Sequence, residues 1–149
     1  NTTKALDYFN QAANLFTDNT KKANVYYRIA TMYSKSNKVQ ARTYARKALA
    51  VKPSYGKAYL LIASLYGSSI NECGSTQFEK RAVYWLAAQY CDKAAAADST
   101  LKGKASGDAA RYRAAAPSKT EIFQENKAGQ RIAFNCWIGE SVVVPNIGK

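Results

Sequence analysis

Few side chains in this sequence are suited to covalent or acid-base chemistry. Its 149 residues include no histidine, which is the commonest general base and a frequent metal ligand. This excludes hydrolase triads, imidazole zinc sites and histidine relays within the chain. Glu121 and Glu125 are closely spaced carboxylates in helical phase, but glycosidase-type catalysis would need a pocket that the sequence does not indicate. We therefore assign no catalytic residue, no metal site and no cofactor, and expect a protein that is not an enzyme.

The three cysteines lack the CxxC spacing of zinc and thioredoxin-like sites. We predict a disulfide between Cys73 and Cys136, because Gly74 and the extended run 135–137 allow the geometry that a bridge demands. The bridge would close a loop of about 63 residues, a constraint that stabilises by roughly 4 kcal/mol. It would also indicate the periplasm or the cell exterior. Cys91, on a helix, is predicted to be a buried free thiol. The alternative is three unpaired thiols in a cytosolic protein.

The charge is strongly positive, with 22 Lys and Arg against 10 Asp and Glu. It favours acidic partners in general, and it is concentrated in the first half, where no carboxylate lies between Asp18 and Glu72. Lys38, Arg42 and Arg46 form a basic stripe at i+4 spacing, where like charges repel unless an acidic ligand offsets them. A solvated outer face is the favoured interpretation of this stripe over a ligand site, because surface Lys and Arg are easily hydrated.

Apolar residues at helical spacing predict six helices up to about residue 115. Pro53 ends the third helix, and Ser54 is the predicted N-cap of the fourth. Thr76 and Glu79 form a capping box that opens a long fifth helix. Pro117 is predicted to close the helical part.

Beyond Pro117 the pattern changes. The β-prone runs 131–137 and 141–144 predict a short hairpin. No run of residues is long and apolar enough to span a bilayer. The chain opens on Asn1, and we expect it to be a fragment from which preceding repeats and any targeting segment are missing.

Two stretches of the helical part match each other once a loop insertion is allowed. The first carries Tyr26, Ile29, Ala30, Tyr33, Ala41, Ala48 and Pro53, and the second carries Tyr59, Ile62, Ala63, Tyr66, Ala87 and Ala94. This pattern resembles the tetratricopeptide repeat, a helix–turn–helix unit of about 34 residues. The resemblance implies an all-α solenoid of stacked antiparallel helical hairpins over residues 1–116. Residues 117–149 are then expected to be an extended or hairpin cap packed on the repeats.

A narrower likeness concerns two segments, NECGSTQFEKRAVYWLA and FNCWIGESVVV. They resemble the C-terminal end of envelope tetratricopeptide proteins of Gram-negative bacteria. This resemblance implies an exported scaffold or assembly factor in the periplasm or cell envelope.

In the tetratricopeptide family the first helix of each unit lines a concave groove that binds an extended or helical peptide. Carried over by repeat phase, the groove residues are Asn24, Tyr27, Arg28, Thr31, Lys35, Lys57, Leu60 and Ser64. Tyr27 and Thr31 stand where the family's carboxylate clamp has Lys and Asn, so recognition of a C-terminal carboxylate is not implied. Ordinary solvated polar residues are an equally good interpretation of each position.

The leading hypothesis is a protein-binding scaffold that holds an acidic peptide or protein partner in this groove. The alternative is a basic module that docks on an anionic surface, either a glycan, lipid head groups or nucleic acid. Nucleic acid is disfavoured, because most tyrosines occupy packing positions of the repeat and are not free to stack on bases. A homodimer through the apolar edge of the first helix is the further expectation.

Overall fold

Helices dominate the computed structural model, which describes residues 2–147. Within that range there are seven α-helices, of which α7 lies in the C-terminal segment that follows Pro117. They are α1 (Thr2–Leu15), α2 (Asn19–Tyr33), α3 (Lys38–Val51), α4 (Gly56–Gly67), α5 (Gln77–Ala97), α6 (Lys102–Ala115) and α7 (Lys119–Gln124). Two short 3₁₀ turns, Ile70–Glu72 and Ser99–Leu101, precede α5 and α6. The strands are β1 (Arg131–Ala133) and β2 (Ser141–Val143).

Side-chain caps set the start of most of these helices. Thr76 Oγ1 accepts a hydrogen bond from the Glu79 amide at 3.1 Å, so the predicted cap of α5 is confirmed. The Glu79 carboxylate accepts instead from the Ser75 hydroxyl at 2.8 Å. The predicted cap at Ser54 is wrong: α4 begins at Gly56, and its N-cap residue makes no side-chain capping bond.

Each of the helices α1 to α5 packs against the next one along the chain, up to α6. Small residues make these contacts close, since the predicted packing residues Ala30, Ala41, Ala63 and Ala87 are all fully buried. Larger side chains fill the space between them, and Tyr66 has no exposed surface. The apolar faces predicted from the spacing therefore form one core. Leu6 and Phe9 of α1 pack against its margin.

The C-terminal segment contains the predicted two-stranded antiparallel sheet, in which Ile132 lies opposite Val142. The first strand is shorter than the predicted run 131–137, because residues 134–140 form the connection. Pro117 does not close the helical part as predicted. It is followed by α7, whose N-cap Ser118 accepts a hydrogen bond from the Glu121 amide at 3.1 Å. Strand β2 packs against α5.

The predicted disulfide between Cys73 and Cys136 is present, with a Cα–Cα distance of 5.2 Å. It joins the loop before α5 to the connection between the two strands. Cys91 is free and buried in α5, as predicted. The segment that carries the sheet is therefore covalently held to the helical part.

Candidate binding site

A cavity of about 520 Å³ lies where α2, α4, α5 and α6 meet. Helices α2, α4 and α6 supply most of its wall, while α5 supplies part of its floor. Its lining residues are Tyr27, Lys57, Leu60, Leu61, Ser64, Cys91, Leu101, Lys104, Asp108, Arg111 and Tyr112. An adjoining concavity of about 440 Å³ shares Tyr27 and Lys57 and adds Asn24, Val25, Arg28 and Tyr55.

Four of the eight predicted groove residues line the main cavity: Tyr27, Lys57, Leu60 and Ser64. Asn24 and Arg28 line the adjoining concavity. The two concavities are joined by an aromatic pair, Tyr27 and Tyr55, whose ring centroids lie 5.7 Å apart. The Tyr55 hydroxyl donates to Asn24 Oδ1 at 2.6 Å, which fixes this ring.

Thr31 and Lys35 are not brought to the main cavity. The Thr31 hydroxyl donates to the backbone oxygen of Arg28 at 2.7 Å. Lys35 lines a separate concavity of about 310 Å³ beside Glu72 and Trp137. The last turn of α2 therefore does not contribute to the cavity.

Sequence reasoning missed Leu61 of α4 and Cys91 of α5 as cavity residues, and the other residues that it missed lie on or next to α6. Leu101, Lys104, Asp108, Arg111 and Tyr112 recur at three- and four-residue spacing and face the cavity. The groove residues of α2 and α4 were assigned from their positions in the repeat. Applying the same positions to α6 would have identified this face.

Charges in the cavity are unequal. Lys57, Lys104 and Arg111 face one carboxylate, Asp108. Asp108 forms ion pairs with Lys104 at 3.2 Å and with Arg111. Lys57 forms no ion pair with a carboxylate in the described part of the chain. Because three cations outnumber one carboxylate, the lining keeps a net positive charge that suits an anionic group.

The polar groups between these charges are neutral at ordinary pH. Burial raises the pKa of Tyr27, and the nearby Lys104 opposes that rise. Burial also raises the pKa of Tyr112, with Cys91 and Asp108 adding to it. For the Cys91 thiol, burial followed by Asp108 and Asp92 raises the pKa to about 11. These groups can hydrogen-bond a ligand, but the thiol is not an activated nucleophile.

The basic stripe of α3 is used inside the molecule. Lys38 Nζ lies 3.0 Å from Ser69 Oγ and 3.5 Å from Glu72 Oε1. Arg46 Nη2 lies 3.7 Å from Glu140 Oε2. The sequence favours a solvated face over a ligand site for this stripe, whereas the structure shows intramolecular partners for its side chains.

Arg42, at the centre of the stripe, makes the most contacts. Its Nη1 donates to Ile138 O at 2.8 Å and to the Tyr66 hydroxyl at 3.1 Å, and its Nη2 donates to Trp137 O at 3.0 Å. The guanidinium also lies 4.9 Å from the centroid of the Trp137 ring. Arg42 therefore anchors the connection between β1 and β2 to α3.

Glu140 accepts hydrogen bonds from two buried tyrosines. Tyr90 Oη lies 2.8 Å from Glu140 Oε2, and the Tyr66 hydroxyl donates to the same oxygen. Burial, followed by the bond to Glu140, raises the pKa of both tyrosines. No local sequence pattern predicts this cluster, because its members come from α4, α5 and the strand connection.

The acidic pair Glu121 and Glu125 lines neither the main cavity nor the adjoining concavity. Glu121 Oε2 accepts from Arg81 Nη1 at 2.6 Å, and this bond lowers the pKa of Glu121. Glu125 is exposed at the end of α7. Arg81 also donates to the backbone oxygens of Ala115 and Ala116, so Glu121 belongs to the junction between α6 and α7.

Among residues 2–147 no group of three or more Cys, Asp or Glu side chains is placed to hold a metal ion. No helix in the described part of the chain is long and apolar enough to cross a membrane. Helix α1 exposes Tyr8 and Leu15, 68% and 81% accessible, so it has apolar surface available for a partner. The homodimer through this helix stays a prediction.

Comparison with known proteins does not identify the chain. No protein-family model matches the sequence, and neither the curated proteins nor the solved structures contain a significant match.

Proposed function

We propose that this protein is a non-catalytic scaffold that binds an acidic peptide segment of a partner protein in the cavity between α2, α4 and α6. The observation that carries the proposal is the combination of leucine walls with three cations around one carboxylate in that cavity. Such a lining suits a ligand that presents a carboxylate next to an apolar side chain.

The size of the cavity supports a peptide. A volume of about 520 Å³ lies within the usual range for ligand sites and accommodates a few side chains. Leu60, Leu61 and Leu101 provide the apolar contact area. The adjoining concavity, which includes Arg28, lets an extended ligand continue past Tyr27.

The tetratricopeptide-type architecture is part of the same proposal. Helices α2, α4 and α6, which correspond to the first helices of successive units, contribute the cavity lining. Sequential packing of α1 to α6 and the buried alanines between them support a stack of helical hairpins. The disulfide supports an exported protein, in the periplasm or cell envelope.

Fluorescence anisotropy tests the binding proposal. The probes are labelled peptides that combine Asp or Glu with Leu or Phe, and matched peptides in which Lys replaces the acidic residues. We expect the acidic peptides to bind and the basic ones not to bind. Removing a charge-assisted hydrogen bond costs roughly 1.5 to 3 kcal/mol, so Arg111→Gln should weaken binding about tenfold or more.

Lys35→Gln is the matched control. This substitution also removes one positive charge, but from a predicted groove position that lies outside the cavity. We expect it to change the affinity less than about twofold, as exposed charges contribute little. Leu60→Asp should abolish binding of the acidic peptides. Equal effects of Arg111→Gln and Lys35→Gln would show that the cavity is not the binding site.

A further inference from the structure

A second positively charged surface lies at one end of the helical stack and borders the main cavity at Lys57, Leu101 and Lys104. It is formed by the turns that precede α2, α4 and α6, residues 15–22, 52–57 and 98–104, which we call the turn edge. These turns meet. Lys52 Nζ lies 2.7 Å from Thr20 Oγ1, and Gly56 packs so closely on the third turn that a Cβ there would lie 2.8 Å from Asp98 Cβ.

The turn edge carries six lysines and two aspartates. Both aspartates are engaged by backbone amides. Asp18 Oδ1 accepts from Thr20 N at 2.7 Å, and Asp98 Oδ1 accepts from Thr100 N at 3.0 Å. Five of the lysines form no ion pair with a carboxylate among residues 2–147: Lys21, Lys22, Lys52, Lys57 and Lys102.

The turn edge also exposes an apolar side chain. Leu15, the last residue of α1, is 81% exposed, the highest value for a large hydrophobic residue in the described range. It is followed by Phe16, and Lys21 Nζ lies 5.9 Å from the centroid of the Phe16 ring. The turn edge thus combines an exposed aliphatic residue with lysines that form no ion pair in the described range.

We propose that the turn edge docks the protein on a lipid bilayer with anionic head groups. The lysines lie against the lipid phosphates, and Leu15 inserts at the boundary between head groups and acyl chains. Leu15 favours a bilayer over nucleic acid, since a phosphate backbone offers no apolar phase. Base stacking needs free aromatic faces, whereas the Tyr55 ring of this edge is already packed on Tyr27.

Co-sedimentation with vesicles tests the proposal. One vesicle contains phosphatidylcholine and phosphatidylglycerol in equal proportion, and the other contains phosphatidylcholine alone. We expect binding to the anionic vesicles only, weakening as salt is added. Each lysine near an anionic surface contributes about fivefold to affinity, so Lys21→Gln, Lys52→Gln and Lys102→Gln together should weaken binding about a hundredfold.

The matched control removes three lysines elsewhere, Lys80→Gln, Lys119→Gln and Lys127→Gln, and leaves the net charge equal to that of the edge variant. We expect it to weaken binding less than about threefold, through long-range charge alone. Should the Lys52 change disturb the turns, the pair Lys21→Gln and Lys102→Gln, both exposed, should still weaken binding about 25-fold.

The apolar contact has its own test. Leu15→Ser should weaken vesicle binding by about tenfold, whereas Phe123→Ser, at a residue of α7 that is 77% exposed, should not. Equal weakening by the two lysine triples, or edge-dependent binding to a DNA duplex without vesicle binding, would overturn the proposal. The turn-edge residues that also line the cavity, Lys57, Leu101 and Lys104, are left unchanged. Peptide binding in the cavity is therefore measured independently on the same variants.

Discussion

Arg42 Nη1 donates a hydrogen bond to the backbone oxygen of Ile138 at 2.8 Å, across 96 positions of the chain. Ile138 lies in the connection between the two strands, and its side chain is buried. A carbonyl at the margin of the core needs a donor, and the charged guanidinium provides a strong one. This contact holds the C-terminal segment on α3 independently of the disulfide.

Replacing Arg42 should therefore destabilise the protein. Arg42→Ala removes two bonds to backbone oxygens and the contact with Trp137, and we expect the free energy of unfolding to fall by about 3 kcal/mol. Urea denaturation followed by circular dichroism measures it. Arg46→Ala, one turn further along α3, is the control and should cost less than about 1 kcal/mol, because that ion pair is half exposed. Comparable losses in the two variants would contradict the anchoring role of Arg42.

The disulfide should be demonstrable by counting thiols. Denatured, unreduced protein should contain one reactive thiol, from Cys91, and reduced protein three. The double variant Cys73→Ser and Cys136→Ser should lose about 2 to 4 kcal/mol of stability, because the unfolded chain is no longer closed into a long loop. Three reactive thiols without reduction would disprove both the bridge and the argument for export.

Local patterns allowed the helical part to be predicted. Apolar spacing predicts the faces of α1 to α5, and Thr76 marks the start of α5, because these features depend on residues close in sequence. The sheet followed from the β-prone runs around Gly139. The predicted start of α4 was wrong. Ser54 has the residue type of an N-cap, but it lies inside a turn formed by Lys52–Tyr55, and α4 starts at Gly56. Helix α7 was missed although Ser118 and Glu121 have the spacing of a capping box.

Contacts between distant elements were harder to predict. Arg42, Tyr66 and Glu140 belong to three elements far apart in sequence, and no periodicity links them. The basic stripe was found as a pattern, but its intramolecular partners depend on where the C-terminal segment folds back. Four of the eleven residues that line the cavity were among the predicted groove residues, because the repeat comparison was applied to α2 and α4 but not to Arg111 and its neighbours in α6.

Replacing Glu140 even by a neutral residue of the same shape should lower the stability of the protein. Glu140→Gln replaces an acceptor of the Tyr66 and Tyr90 hydroxyls by an amide nitrogen, which cannot accept, and leaves part of this buried network unsatisfied. We expect a loss of about 1 to 3 kcal/mol. Combining it with Tyr90→Phe should cost less than the sum of the single changes. Glu125→Gln, at an exposed position, should change stability by less than about 0.5 kcal/mol.

The last prediction concerns alkaline pH. The pKa of Cys91 is raised from 9.0 to about 11 in the folded protein. Below pH 9 the thiol is protonated in both states, and its contribution to stability is fully present. Between the two values only the unfolded thiol ionises, so the free energy of unfolding should fall with pH, by about 2 to 3 kcal/mol in total. Above about pH 11 both states are ionised and this loss should level off.

Urea denaturation at a series of alkaline pH values measures this loss, with Cys91→Ala as the comparison. Burial also raises the pKa of Tyr66 and Tyr112, so the variant should keep some loss of stability at high pH. Cys91→Ala should abolish only the loss of stability that is due to ionisation of the thiol. The slope of the free energy of unfolding against pH should therefore be shallower in this variant between pH 9 and about 11. The comparison uses slopes because removing the sulfur also leaves a small cavity, which lowers stability equally at every pH. Identical slopes in the two proteins would show that Cys91 titrates normally and is not buried as the fold requires.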